Sequence, residues 1–413
     1  MSMRHRLSEL PKRPSFWIAV DSSLTAATNS ALLIAGSRLL GPSSLVPLAM
    51  LQLFASSAIL VQRATLLAPA LAARRELGVP ASMPGRWAWV SIPAFAAPVI
   101  ATCPFVMGAS ENWLTVALIT TFFVISSLGM DFVRYFYISR DSPQFSVVMD
   151  GFFIFTLAPT SILIAFQPSW IAFAIGWSTS ASIAAAGTAL ILRRKTPSFA
   201  RQVPLRGTIK LGRWSGLDNL MSVIANLVPM AIATLTLTTP LAAIYRVLQT
   251  ALGPLNIVNT SLIASFSLGS WRLSSIEGIE NLRGQVRRGV RVLLLATVIY
   301  VGIAFAAIMF LAELPWSSSA RVVAILSIAA LFGAWTSPIA AASSALGYQI
   351  IGVYIRIAVV AFSLSVSWAV AIGLPVPLDD PIGAVAIASS ALGLIGWGFG
   401  YIIALRREKR LLG

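Results

Sequence analysis

Residues 17–29 read WIAVDSSLTAATN and residues 214–226 read WSGLDNLMSVIAN. Each places an aspartate four positions after a tryptophan and an asparagine eight positions after that, at an offset of 197 residues without a gap: Trp17, Asp21 and Asn29, then Trp214, Asp218 and Asn226. The same register carries on to Gln52 and Gln249. Each copy opens an apolar stretch of about 20 residues, the length that crosses a bilayer as a helix. Acids and amides are rare in such stretches, so their recurrence points to an internal duplication with copies that enter from the same side.

Composition agrees. The chain has 413 residues, 57% hydrophobic and 11% charged, with mean hydropathy +0.84. Soluble proteins carry about 25% charged residues, so a water-soluble fold is excluded. Cys103 and His5 are the only cysteine and histidine. That rules out a disulfide scaffold and argues against thiolate-zinc or Cys/His catalytic chemistry. No cofactor or metal is expected.

A 20-residue window gives twelve spans, near 16–37, 44–62, 87–106, 113–133, 145–166, 169–192, 214–237, 241–267, 290–312, 321–345, 351–374 and 382–405. Single runs of this length satisfy their own backbone hydrogen bonds only as helices. The fold class is therefore an all-α polytopic membrane protein of about twelve transmembrane helices. Residues 1–192 form a first six-helix bundle, 193–213 a basic linker, and 214–413 a second bundle parallel to the first. Substrate would bind in a central cavity between them.

Of 30 basic residues, 25 fall on one side of this threading, among them Arg193, Arg194 and Lys195 in the link and Arg406, Arg407, Lys409 and Arg410 in the tail. Positive loops stay cytoplasmic, which puts both termini inside. The net charge of +16 follows from that asymmetry. It implies contact with anionic membrane lipids, and no nucleic-acid partner. Residues 272–291 alternate Ile276, Ile279, Leu282, Val286 and Val290 with arginines at helical spacing, which predicts an amphipathic helix on the inner membrane surface.

Asp21, Thr25, Thr28 and Asn29 share one helix face, as do Asp218, Ser222 and Asn226. Such faces turn away from lipid. The hydroxyls suit bonds between packed helices, and Asn29, Gln52, Asn226 and Gln249 are candidates to line the cavity. Asp21, Asp150, Asp218 and Arg356, with Asp131 and Arg134, fall near the inner ends of their spans. This ionisable layer has two readings: an inner gate or coupling site whose pairs break as the cavity opens, or static ion pairs that fix packing.

The segment Ala35-Gly36-Ser37-Arg38-Leu39-Leu40-Gly41-Pro42 resembles the end of the first helix in bacterial polysaccharide-biosynthesis flippases of the multidrug/oligosaccharidyl-lipid/polysaccharide exporter superfamily. Those proteins often read "a-R-l-L-G-P-x-x-f-G" there. This chain departs at the final glycine, with Leu45-Val46-Pro47 in its place. The resemblance implies a bacterial inner-membrane carrier, not an enzyme, that moves an undecaprenyl-diphosphate-linked oligosaccharide between leaflets by alternating access. Polysaccharide polymerase and glycosyltransferases are its implied partners. A diphosphate needs cations, for which the arginines within or beside spans are Arg63, Arg246 and Arg356; Arg246, beside Tyr245, is the foremost candidate.

Besides a transport-dead scaffold that recruits assembly partners, against which the polar helix faces argue, three alternatives remain. One is a drug or small-solute exporter of the same superfamily, whose relatives use a first-helix carboxylate for cation coupling. Another is a major-facilitator-like carrier, although Ala72-Ala73-Arg74-Arg75-Glu76-Leu77-Gly78 does not match the motif of its second loop. The third is a membrane glycosyltransferase or polymerase, although the short outer loops hold only Asp379-Asp380 as a carboxylate pair.

Overall fold

The structure, a computed structural model, describes helical positions between Trp17 and Leu39 (Trp17, Val20, Asp21, Leu24, Thr25, Thr28, Ala35, Gly36 and Leu39), Leu40, and then 42–67, 69–70, 81–106, 112–140, 142–166, 168–192, 201–202, 204–236, 276–311, 316–346, 348–371 and 381–412. Ten α-helices have defined bounds among these residues. They are α1 (Pro42–Gln62), α2 (Ala88–Val106), α3 (Trp113–Ser139), α4 (Gln144–Phe166), α5 (Trp170–Leu192), α6 (Leu205–Thr236), α7 (Ile276–Leu311), α8 (Trp316–Ala345), α9 (Gln349–Ala371) and α10 (Pro381–Leu412). Ten of the twelve expected spans fall on these helices, the first, 16–37, is helical at its described positions, and the eighth, 241–267, lies outside the described residues. By length and composition, five helices among the described residues can cross a membrane: Leu45–Leu67, Trp113–Ser139, Trp170–Ile191, Val322–Ser343 and Ala386–Arg410.

Two compact units make up the chain, Met1–Asn219 and Leu220–Gly413. In the first, α3 packs against α1, α2 and α5, and α4 lies along α5. In the second, α8 packs against α7 and α10, and α9 against α10. Large apolar side chains face outward from both, including Trp89 at 85% exposure and Phe310 at 81%. This inverts the soluble pattern and suits helices solvated by lipid. Hydroxyls in the helices bond back to the carbonyl one turn earlier, as Thr121 does to Ala117 at 2.7 Å and Ser178 to Ala174 at 2.7 Å, because hydrocarbon offers no other acceptor.

Small residues set the closest helix contacts. Gly212 and Gly216, one turn apart on α6, both lie against Thr65. A Cβ on Gly212 would come 2.7 Å from Pro69 Cγ and collide with the Thr65 carbonyl oxygen. Gly396 and Gly400 on α10 make the same approach to Ile355 and Ile351 of α9, where a Cβ would meet each Cγ2 at 2.8 Å. Both pairs are glycines four apart on one helix face, which let two backbones come together.

Two findings modify the expected threading. First, the described part of the surface helix expected over 272–291 does not form a separate element: Ile276–Leu311 is one continuous helix of 36 residues. At 1.5 Å per residue it extends about 54 Å. Its stripe Ile279, Leu282 and Val286 is buried. Leu282 and Val286 pack against Ala341, Ala342, Leu346 and Tyr401, so the amphipathic pattern marks a protein contact. Second, two connecting segments of the first unit pair. Ala81–Ser82 (β1) and Arg201–Gln202 (β2) form a two-residue parallel bridge. Nearby, Leu66, Leu67, Ala70, Met83, Trp87 and Phe132 make a small apolar core, with Leu205 packed against it.

Candidate functional site

Helix α1 ends at Gln62 and passes into a five-residue π-turn, Arg63–Leu67. Such turns open the backbone spacing and recur at functional positions. The Arg63 guanidinium leaves this turn to meet Asp131 of α3. Its Nε lies 2.9 and 3.1 Å from the two carboxylate oxygens, and Nη2 donates a further short bond to Oδ1. The same guanidinium lies over the Tyr135 ring, 5.6 Å from its centroid.

Asp131 also meets Arg134, one turn further along α3, through Nη1 at 3.1 Å. Arg134 is the hub. Its Nε donates to the Asp21 carboxylate at 2.9 Å, and its Nη2 donates to Asp150 Oδ1 at 2.8 Å and to Thr25 Oγ1 at 2.9 Å. The Thr25 hydroxyl lies 3.2 Å from Asp150 Oδ2 and 3.0 Å from the Asp21 backbone carbonyl. Asp21 and Thr25 come from the leading helical segment, Arg63 from the end of α1, Asp131 and Arg134 from α3, and Asp150 from α4. One cluster thus ties four segments of the first unit at the end where α3 hands over to α4.

Asp21, Asp131, Asp150 and Arg134 are buried, whereas the Arg63 side chain is 31% exposed. With all five groups ionised, three carboxylates face two guanidiniums, a formal charge of −1. Charges survive such burial only when paired and hydrogen-bonded, and Arg134 satisfies this by directing one guanidinium at three carboxylates.

The sequence places Asp21, Asp131, Arg134 and Asp150 in one layer, and the structure joins them. Arg63, a candidate phosphate ligand, is instead committed to Asp131. Gln52 is buried on α1, and its Oε1 takes no hydrogen bond among the described residues. Asp218 on α6 and Arg356 on α9 are half-buried. Asn226 falls within α6, but its side chain lies outside the described residues. Asn29, Arg246 and Gln249 also lie outside them. Sequence reasoning missed the Arg63–Asp131 pair, whose members are 68 positions apart. The spacing of Asp131 and Arg134 was the one local signal.

No family model matches the chain, and no curated protein does. Solved structures do. An inward-facing multidrug resistance MATE family transporter of the MOP superfamily superposes with a TM-score of 0.65 at 12% identity, covering 93% of this chain and 95% of that one. An outward-facing form of such a transporter gives 0.59 at 14% identity, covering 97% and 96%. A MOP superfamily transporter from Pyrococcus furiosus, described by the reverse polarity of its binding pocket, gives 0.62 at 16% identity, covering 98% of both chains. This chain has the MATE-like transporter fold. The likeness spans both units of the chain. At 12–16% identity it carries the architecture and leaves the substrate to be argued from the site.

Proposed function

We propose that the chain is a bacterial inner-membrane carrier, with both termini cytoplasmic, that moves a lipid-linked oligosaccharide from the inner to the outer leaflet by alternating access. The fold supports a carrier, since MATE-family transporters are known in inward- and outward-facing forms. The observation that weighs against a cationic substrate is the arginine–carboxylate cluster. Each buried carboxylate among the described residues, Asp21, Asp131 and Asp150, is ion-paired with arginine. A site that recruits a cationic drug needs an open carboxylate, and here Arg134 occupies Asp21 and Asp150 together. The flippase-like segment at Ala35–Pro42 points the same way.

In this reading the cluster is a clamp within the first unit, because every member belongs to Met1–Asn219. It lets that bundle move as a body while the substrate path opens and closes. Thr25 completes the clamp by sharing both Asp150 and Arg134. Asn29, Gln52, Asn226 and Gln249 would contact sugar hydroxyls, and Arg246 the diphosphate. The second reading, a drug exporter, draws on the multidrug resistance transporters among the structural relatives.

Deletion of the gene followed by extraction of lipid-linked oligosaccharides separates the two. The flippase reading expects accumulation of an undecaprenyl-diphosphate-linked unit and loss of a surface polymer, with unchanged drug sensitivity. An unaltered glycan profile together with raised sensitivity to cationic drugs would overturn it in favour of the exporter.

A further inference from the structure

The turn that carries Arg63 also carries a contact with α6. Thr65 is its middle residue, two positions after Arg63. Gly212 and Gly216 of α6 both close on it: a Cβ on Gly212 would collide with the Thr65 carbonyl oxygen, and one on Gly216 with the Thr65 hydroxyl. The end of the turn is fixed, since Leu66 and Leu67 are buried in the apolar core with Met83, Trp87 and Phe132. Leu205, at the start of α6, packs on the same core. Five consecutive residues therefore stand between α3, reached by Arg63, and α6, reached by Thr65.

A π-turn holds one residue more than the α-helical turn it replaces. Resolving it into α would turn the residues before it against those after it by one position, about 100° and about 1.5 Å. With Leu66 and Leu67 held in the core, that change falls on Arg63 and Thr65. Arg63 would swing off Asp131, and Thr65 would leave the space that Gly212 and Gly216 keep open. Both contacts thus depend on one backbone state. The two arginines of the cluster are also unequally held. The Arg134 side chain is 7% exposed and bonds all three carboxylates, whereas that of Arg63 is 31% exposed and bonds one. When Arg63 leaves, Asp131 keeps the Arg134 Nη1 at 3.1 Å.

We infer that the Arg63–Leu67 turn is a relay that couples the seating of α6 to the Arg63–Asp131 ion pair. Arg134 is the fixed hub of the cluster, and Arg63 is the arm that lets go. Static packing and gating, the two readings of the ionisable layer, are divided between these arginines. Helix α6 carries the chain from Met1–Asn219 into the second unit, so the relay gives a displacement of α6 a route to the ion cluster. Coupling between two sites is reciprocal, and loosening the ion pair loosens α6. The relay builds on the clamp described above and does not depend on what is transported.

Hydrogen exchange, read by mass spectrometry on the full-length protein in detergent, tests this without substrate. The first turns of α6 expose Arg206, Lys210 and Arg213, so their amides meet water. Arg63→Gln should speed exchange over residues 205–216 on the order of fivefold, the lower end for coupled sites. Tyr137→Phe, which weakens the same unit at the contact of α3 with α5, should leave that exchange unchanged. Gly216→Ala approaches from the other side. It should lower the melting temperature less in the Arg63→Gln background than in wild type, because the ion pair is already gone. Unchanged exchange over 205–216 in Arg63→Gln, or an equal rise in Tyr137→Phe, would overturn the inference. Additive melting shifts, the behaviour of independent sites, would overturn it as well. If Gly216→Ala yields no folded protein, the exchange comparison decides alone.

Discussion

Replacement of Arg134 should cost far more than replacement of any carboxylate it holds. The cluster carries a formal −1 with all five groups ionised. Arg134→Ala takes it to −2, leaving three buried carboxylates around a single half-buried Arg63, and removes the bonds to Asp21, Asp131, Asp150 and Thr25. Removing one partner of a buried pair costs about 3–5 kcal/mol. Asp21→Asn takes the cluster to zero and keeps an acceptor for Nε, so it should cost about 1 kcal/mol. In a unit of 219 residues, with 2–4 °C per kcal/mol, these become roughly 6–20 °C and 2–4 °C.

The protein carries its own reporter. Cys103 is the only cysteine and is fully buried, so a thiol-reactive dye labels it only on unfolding. Melting curves of wild type and both variants in one detergent compare the two costs directly. The reasoning fails if Arg134→Ala melts within 2 °C of wild type, or if Asp21→Asn is the more damaging of the two.

Other outcomes follow from the same geometry. Adding Asp21→Asn and Asp150→Asn to Arg134→Ala leaves a balanced Arg63–Asp131 pair and should recover at least half the lost melting temperature; further loss would show that charge balance is not what matters. Gly212→Val should abolish a folded yield by size-exclusion chromatography, because its side chain meets the Thr65 backbone and Pro69, whereas a monodisperse variant would refute the close contact. Tyr137→Phe removes a buried bond to the Thr188 carbonyl at 3.0 Å and should cost about 1 kcal/mol, read as a drop of 2–4 °C in the Cys103 assay.

The spans were legible in the sequence because a bilayer sets one length and one chemistry for each of them. The ionisable layer was legible for a related reason: a charge in an apolar run must be near an end or paired, and Asp21, Asp131, Arg134 and Asp150 share one depth. Which charges pair could not be read. Arg63 and Asp131 sit on different helices, and their meeting depends on a π-turn that no local pattern announces. The stripe Ile279, Leu282, Val286 was misread because apolar spacing shows that a face is buried without saying whether protein or lipid buries it. The glycines at 212 and 216 looked ordinary until Thr65 appeared beneath them.

The most direct test of the central claim is transport in a defined membrane. Purified protein in proteoliposomes, loaded with a lipid-linked oligosaccharide carrying a chemically accessible sugar, should expose that sugar to an external reagent faster than protein-free vesicles, and the same vesicles should show no uptake or release of a cationic dye. Dye movement without exposure of the sugar would contradict the flippase account.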